Sequence, residues 1–181
     1  VYEQGDSETR EAVLEALMIA GDKQAVFDIA VSAEGDDFEE AVDMLAVMGA
    51  HDELRELRAQ KGTSEVLIDA YAISGDLASL REMALDTSDP DLQTQAIESM
   101  GIIGGDEVDA TLVQIYRDAE SEDVREAALD GMLISGHDTG VLELYRSSTD
   151  TAEKKELLER LVIMGSDEIR DIIDAALEGG S

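Results

Sequence analysis

The chain has 181 residues, 44% of them hydrophobic, with 15 Gly and a single Pro: enough apolar material for a core, and too little punctuation for a disordered or low-complexity polymer. Asp and Glu number 44 against 13 Lys and Arg, a net charge of −31 that repels phosphate backbones and anionic membrane surfaces and attracts basic peptides and other cations. Cys is absent, which excludes disulfides and thiolate metal sites, and no apolar run approaches the roughly 20 residues of a membrane span.

Val1 and Tyr2 open a stretch, VYEQGDSET, that echoes LYRSSTDTA farther on; they are expected to be the tail of an earlier helix. Residues 6–34 then read as two helices around a break. The first, helix A, carries Val13, Leu14 and Leu17 at steps of three and four, the spacing of one helical face, and ends in LMIAG at Gly21. Glycine suits a helix C-cap, where a left-handed backbone penalises a Cβ. Asp22 follows and is placed to accept the free N–H groups of helix B, whose stripe is Val26 and Ile29.

The same reading fits residues 35–61, with Ala41, Val42 and Leu45, LAVMG at Gly49, Asp52, then Leu54 and Leu57. In residues 62–87 the set is Leu67, Ile68 and Tyr71, YAISG at Gly75, Asp76, then Leu80 and Met83. Residues 88–119 give Ala96, Ile97 and Met100, MGIIG at Gly104, Asp106, then Leu112 and Ile115, with Pro90 placed to open a helix. Residues 120–148 give Ala128, Leu129 and Met132, MLISG at Gly136, Asp138, then Val141 and Leu144. Residues 149–181 close with Leu157, Leu158 and Leu161, LVIMG at Gly165, Asp167, then Ile169 and Ile173. Two positions before each glycine stands a branched aliphatic (Ile19, Val47, Ile73, Ile102, Ile134, Ile163), expected on the same apolar stripe. Self-similarity at this period marks a repeat array. The expected fold is all-α: a single domain of about six antiparallel helix pairs forming an α-solenoid, each pair burying its stripe against its neighbours.

The stretch SEDVREAALDGMLISGHDTGVLELY, Ser121–Tyr145, resembles a HEAT repeat of the short bacterial HEAT-like kind, related to the repeats of phycobilisome lyase subunits. DSETREAVLEALMIAGDKQAVFDIA (6–30) and DPDLQTQAIESMGIIGGDEVDATLVQIY (89–116) resemble the same pattern, and the remaining pairs share its apolar skeleton. The resemblance implies a right-handed superhelix with helix B on the concave side. It is a packing signature and carries no chemistry. The family's usual Arg early in helix A stands here as Arg10 and Arg125, whereas Phe38, Ser64, Gln93 and Lys154 occupy the other repeats.

No catalytic motif is present: no G-x-S-x-G, P-loop or H-E-x-x-H. Ser135–Asp138 spells triad residue types, but neighbours along one turn rarely meet in relay geometry. Gly101–Asp106 is glycine-rich without a preceding strand or a basic residue for phosphate. His51 and His137 lie three repeats apart, too far for one ion at about 10 Å per repeat, and read as turn residues. The acidic clusters Asp36–Glu40 and Asp118–Asp123 lack EF-hand spacing and read as solvated turns. No cofactor and no metal are expected, and the protein is not expected to be an enzyme.

The candidate binding residues lie on or at the end of helix B: Arg55, Arg81, Tyr116, Arg117, Tyr145 and Arg146, with Arg58 and Arg170 in equivalent places. The resemblance turns them toward a groove, and Tyr and Arg are enriched at binding hot spots. The competing role is to neutralise helix C-termini and pack in the stripe. The expected function is a non-enzymatic scaffold presenting a concave groove to a protein or peptide with basic patches, without nucleic acid or membrane insertion. The alternative is an accessory or lyase-like subunit holding a small molecule or chromophore. A HEAT-like DNA-base glycosylase would need a basic groove and Trp, both missing. The missing initial Met and Cys fit a periplasmic or secreted location, with the cytoplasm as the alternative; the acidity itself fits either a salty habitat or a cationic ligand.

Overall fold

The computed structural model describes residues 6–169. Among them every element is a helix: α1 (Ser7–Ala20), α2 (Lys23–Ser32), α3 (Asp36–Val47), α4 (His51–Lys61), α5 (Glu65–Ser74), α6 (Leu77–Ala84), α7 (Pro90–Ile103), α8 (Asp106–Asp118), α9 (Glu122–Ser135), α10 (Thr139–Ser147) and α11 (Thr151–Met164). The odd-numbered helices are the predicted A helices and the even-numbered ones the B helices. Val1 and Tyr2, Arg170, Ile173 and the helix B of the last repeat lie outside the described residues.

All six predicted break glycines adopt the left-handed backbone: Gly21, Gly49, Gly75, Gly104, Gly136 and Gly165 have φ between 60° and 75°. At Gly75, the N–H of the glycine bonds to Ala72 O and that of Asp76 to Tyr71 O, closing the carbonyls α5 leaves free. Nothing lies within 4 Å of a Cβ built at Gly75. Gly75→Ala is therefore expected to cost only the backbone strain, about 1 kcal/mol, read as a shifted urea midpoint.

The expected Asp caps form in two repeats. Asp22 accepts from Ala25 N (3.1 Å) and Asp76 from Ser79 N (3.3 Å). In α4 and α8 the N-cap residues are instead Ala50 and Gly105. Ala50 and His51 stand between Gly49 and Asp52, and Gly105 between Gly104 and Asp106, so both carboxylates fall in the first turn, where they act through the helix dipole. Asp138 holds the N-cap position of α10 without a side-chain bond. Pro90 opens α7 as predicted, with Asp89 accepting from the N–H groups of Asp91 and Leu92.

The helices gather into two compact units, Val1–Ser99 and Met100–Ser181. In the first, α1, α3 and α5 pack side by side as one layer, and α2 and α4 form a second layer packed against it. In the second, α8 packs on α9 and α10, and α11 on α10 and α9. The core is built mainly from the positions four, seven and eight before each glycine, with Val13, Leu17 and Leu158 only half-buried in α1 and α11. Ala41, Val42, Leu45, Leu67, Ile68, Tyr71, Ala96, Ile97 and Met100 are fully buried. A fully buried Leu or Ile contributes about 1.5–3 kcal/mol relative to exposure.

The aliphatics two before each glycine are not in that core. Ile19, Val47, Ile73, Ile102, Ile134 and Ile163 are 53–83% exposed. Two residues correspond to a rotation of about 200°, so a side chain two positions past a buried one points to the opposite side of the helix. The predicted single stripe is thus two: one buried, one facing solvent.

Candidate functional site

Arg55, on α4, reaches into the next hairpin. Its Nη2 donates to Asp76 Oδ1 (2.8 Å) and its Nε to Ser79 Oγ (3.2 Å). Asp76 is the buried N-cap of α6, and its other oxygen accepts from Ser79 Oγ (2.9 Å). Burial acts to raise the Asp76 carboxyl, but the bonds from Arg55 and Ser79 outweigh it and hold the pKa below the ordinary value. The same bond from Asp76 raises the Arg55 guanidinium. Arg55 thereby ties α4 to the start of α6. Arg81, also predicted, is half-buried on α6.

Tyr116 is buried on α8, its hydroxyl donating to Glu153 Oε1 (3.1 Å) at the start of α11. Burial, and then the Glu153 carboxylate, push its pKa up to about 12. Arg117 is exposed and pairs with Glu143 (3.0 Å), with Ser147 Oγ as a second acceptor at 3.3 Å. Both line an open cleft of about 410 Å³ together with Ala119, Arg125, Leu144, Ser147, Ser148 and Glu153. Arg125, at the family's Arg position early in helix A, also lines this cleft. Its Nε donates to Ala119 O (3.4 Å), and it has no carboxylate partner among the described residues.

Tyr145 and Arg146 do not line that cleft. Tyr145 is half-buried with Lys154 Nζ over its ring at 5.3 Å, and Arg146 pairs with Glu168. His51, expected in a turn, is instead the first residue of α4; its Nε2 donates to Ser74 O (3.0 Å) and ties α4 to α5. Ser135 Oγ lies 3.0 Å from Asp109 Oδ1 and 2.8 Å from Met132 O, so serine meets carboxylate with no imidazole between them. Among the described residues no group of His, Asp and Glu has metal-binding geometry, and no helix is long and apolar enough to cross a membrane.

An array of hairpins with buried stripes, left-handed glycine breaks and tied turns is a helical-repeat architecture. Residues 74–132 match the family model for HEAT repeats, a stretch running from the end of α5 into α9. That stretch is thus similar to HEAT repeats, a family whose members generally serve as protein-interaction scaffolds and are typically non-enzymatic. No curated protein matches the chain.

Proposed function

We propose that the protein is a non-enzymatic scaffold for a protein or peptide partner bearing basic patches. The observation that carries this reading is where the cations go. Arg10 pairs with Asp37, Arg55 with Asp76, Arg58 with Glu82, Arg117 with Glu143, Arg146 with Glu168 and Arg160 with Asp130. The fold thus uses its scarce positive charge internally. With 44 carboxylates against 13 cations, a large excess of negative charge faces solvent. That field draws basic surfaces toward it and repels nucleic acid.

The test is binding of oligolysine and oligoglutamate peptides at about 0.01 M and about 1 M salt, where the screening length is about 30 Å and about 3 Å. Oligolysine is expected to bind at low salt and weaken at least about tenfold at high salt, while oligoglutamate does not bind. Absence of oligolysine binding at low salt, or binding indifferent to salt, overturns the reading.

A further inference from the structure

The outer face of the A-helix layer in the first unit carries two ladders. Ile19 on α1, Val47 on α3 and Ile73 on α5 are 83%, 66% and 58% exposed. Four residues earlier, one turn back on the same face, stand Glu15, Asp43 and Asp69, all exposed. Because α1 packs on α3 and α3 on α5, successive rungs stand about one helix diameter apart, about 10 Å. The two ladders are separated by four residues of helical rise, about 6 Å. Single exposed aliphatics need no account, but one repeated at the same place on three packed helices makes a continuous apolar edge.

The acidic ladder is uncompensated. None of its three carboxylates has an ion-pair partner among the described residues; Asp69 accepts one bond from Gln95 Nε2 (3.2 Å). Burial first, then Glu11 and Asp37, and last Glu15 of the ladder hold the Glu40 carboxyl above its ordinary value. In the second unit the corresponding Asp130 is paired with Arg160 and Glu159 with Lys155, so part of that charge is already neutralised.

We propose that this face of α1, α3 and α5 docks an amphipathic basic helix of a partner protein, with aliphatic side chains against Ile19, Val47 and Ile73 and Lys or Arg against Glu15, Asp43 and Asp69. The proposal rests on the basic-partner reading above and names its surface and the partner's form. A helix fits the spacing: seven residues rise about 10.5 Å, so one apolar and one basic residue per heptad meet each rung. A second copy of this chain would set carboxylates against carboxylates. An anionic lipid surface would be repelled by the same ladder.

The probe is a labelled helical peptide of about 20 residues, about 30 Å long, with Leu and Lys on adjoining stripes, compared by anisotropy with oligolysine of equal charge. Ile19→Ser/Val47→Ser/Ile73→Ser is expected to weaken the Leu/Lys helix at least about tenfold and oligolysine less than about twofold, with an unchanged melting curve confirming the fold. Glu15→Gln/Asp43→Asn/Asp69→Asn is expected to weaken the Leu/Lys helix more than Asp28→Asn/Glu56→Gln/Glu82→Gln, which removes three charges from α2, α4 and α6. If the serine variant binds the Leu/Lys helix like the parent, or the two charge sets weaken it equally, the docking face is wrong while the scaffold reading stands. If the parent binds neither peptide at low salt, both fall.

Discussion

Gly101→Ala is expected to destabilise the protein by about 3 kcal/mol, and Gly140→Ala to change its stability by less than about 1 kcal/mol. Both residues are helical and buried, so alanine gains about 1 kcal/mol of helix propensity at either site. What differs is the neighbour. A Cβ at Gly101 would lie 2.4 Å from Gly131 O, 2.8 Å from Gly131 Cα and 2.9 Å from Gly131 C. All three atoms are backbone, so α7 and α9 would have to separate and give up their packing. A Cβ at Gly140 would meet Val113 Cγ2 at 3.1 Å and Met132 Sδ at 3.2 Å. A thioether swings aside at little cost, and Val113 need shift only by tenths of an ångström. For a chain of this size the Gly101 variant should melt about 6–12 °C lower, measured by circular dichroism beside Gly140→Ala. Equal midpoints would show that the close approach of α7 and α9 does not govern stability.

Gly101 also shows where sequence reading reaches its limit. In the sequence it is one of three glycines in GIIGGD, a string that suggests a loop for phosphate more than a helix interior, whereas it lies inside α7 at a helix crossing. Crossings depend on a partner 30 residues away, and local pattern is silent about them. The pattern did carry the repeat: a left-handed glycine preceded by buried positions at four, seven and eight residues is a local rule that holds before Gly49, Gly75, Gly104 and Gly136, while Val13, Leu17 and Leu158, in the first and last described A helices, are half-buried. It erred at Ile19 and its equivalents because apolar identity was read without direction; a two-residue step does not belong to a period of 3.6.

The candidate site was less legible for the same reason. Arg55 and Tyr116 stand out by residue type, yet each is engaged within the fold, Arg55 by Asp76 in the following repeat and Tyr116 by Glu153 two repeats on. The early helix-A position shows the converse. Gln93 replaces the family's usual Arg, but its Nε2 donates to Ala84 O (3.0 Å) at the end of the preceding B helix, as Arg125 donates to Ala119 O. The residue changed while the contact persisted.

Asp76→Ala is expected to cost about 2–3 kcal/mol at pH 7, and the loss should shrink in acid. Asp76 is the N-cap of α6, and removal of a cap costs about 1 kcal/mol. The ion pair joins an Asp side chain 2% exposed to an Arg side chain 45% exposed; solvent screens the Arg end, which holds the Coulomb contribution to about 1 kcal/mol. The remainder comes from Ser79 N and Oγ losing their acceptor in a buried turn. The sign of the pH dependence follows from the lowered pKa of Asp76. A carboxyl depressed by folding stabilises fully above its unfolded pKa, about 3.9, and loses that contribution as pH falls through the folded value. The gap between parent and variant in urea midpoint should therefore be full at pH 7 and narrow below about pH 4. Asp52→Ala is the control: Asp52 lies 3.5 Å from the same guanidinium, but its side chain is 96% exposed, and its removal should cost no more than its first-turn dipole contribution, less than about 1 kcal/mol. A gap of equal size at both pH values would mean that the cap's shape, and not the charge that Arg55 holds, ties α4 to α6.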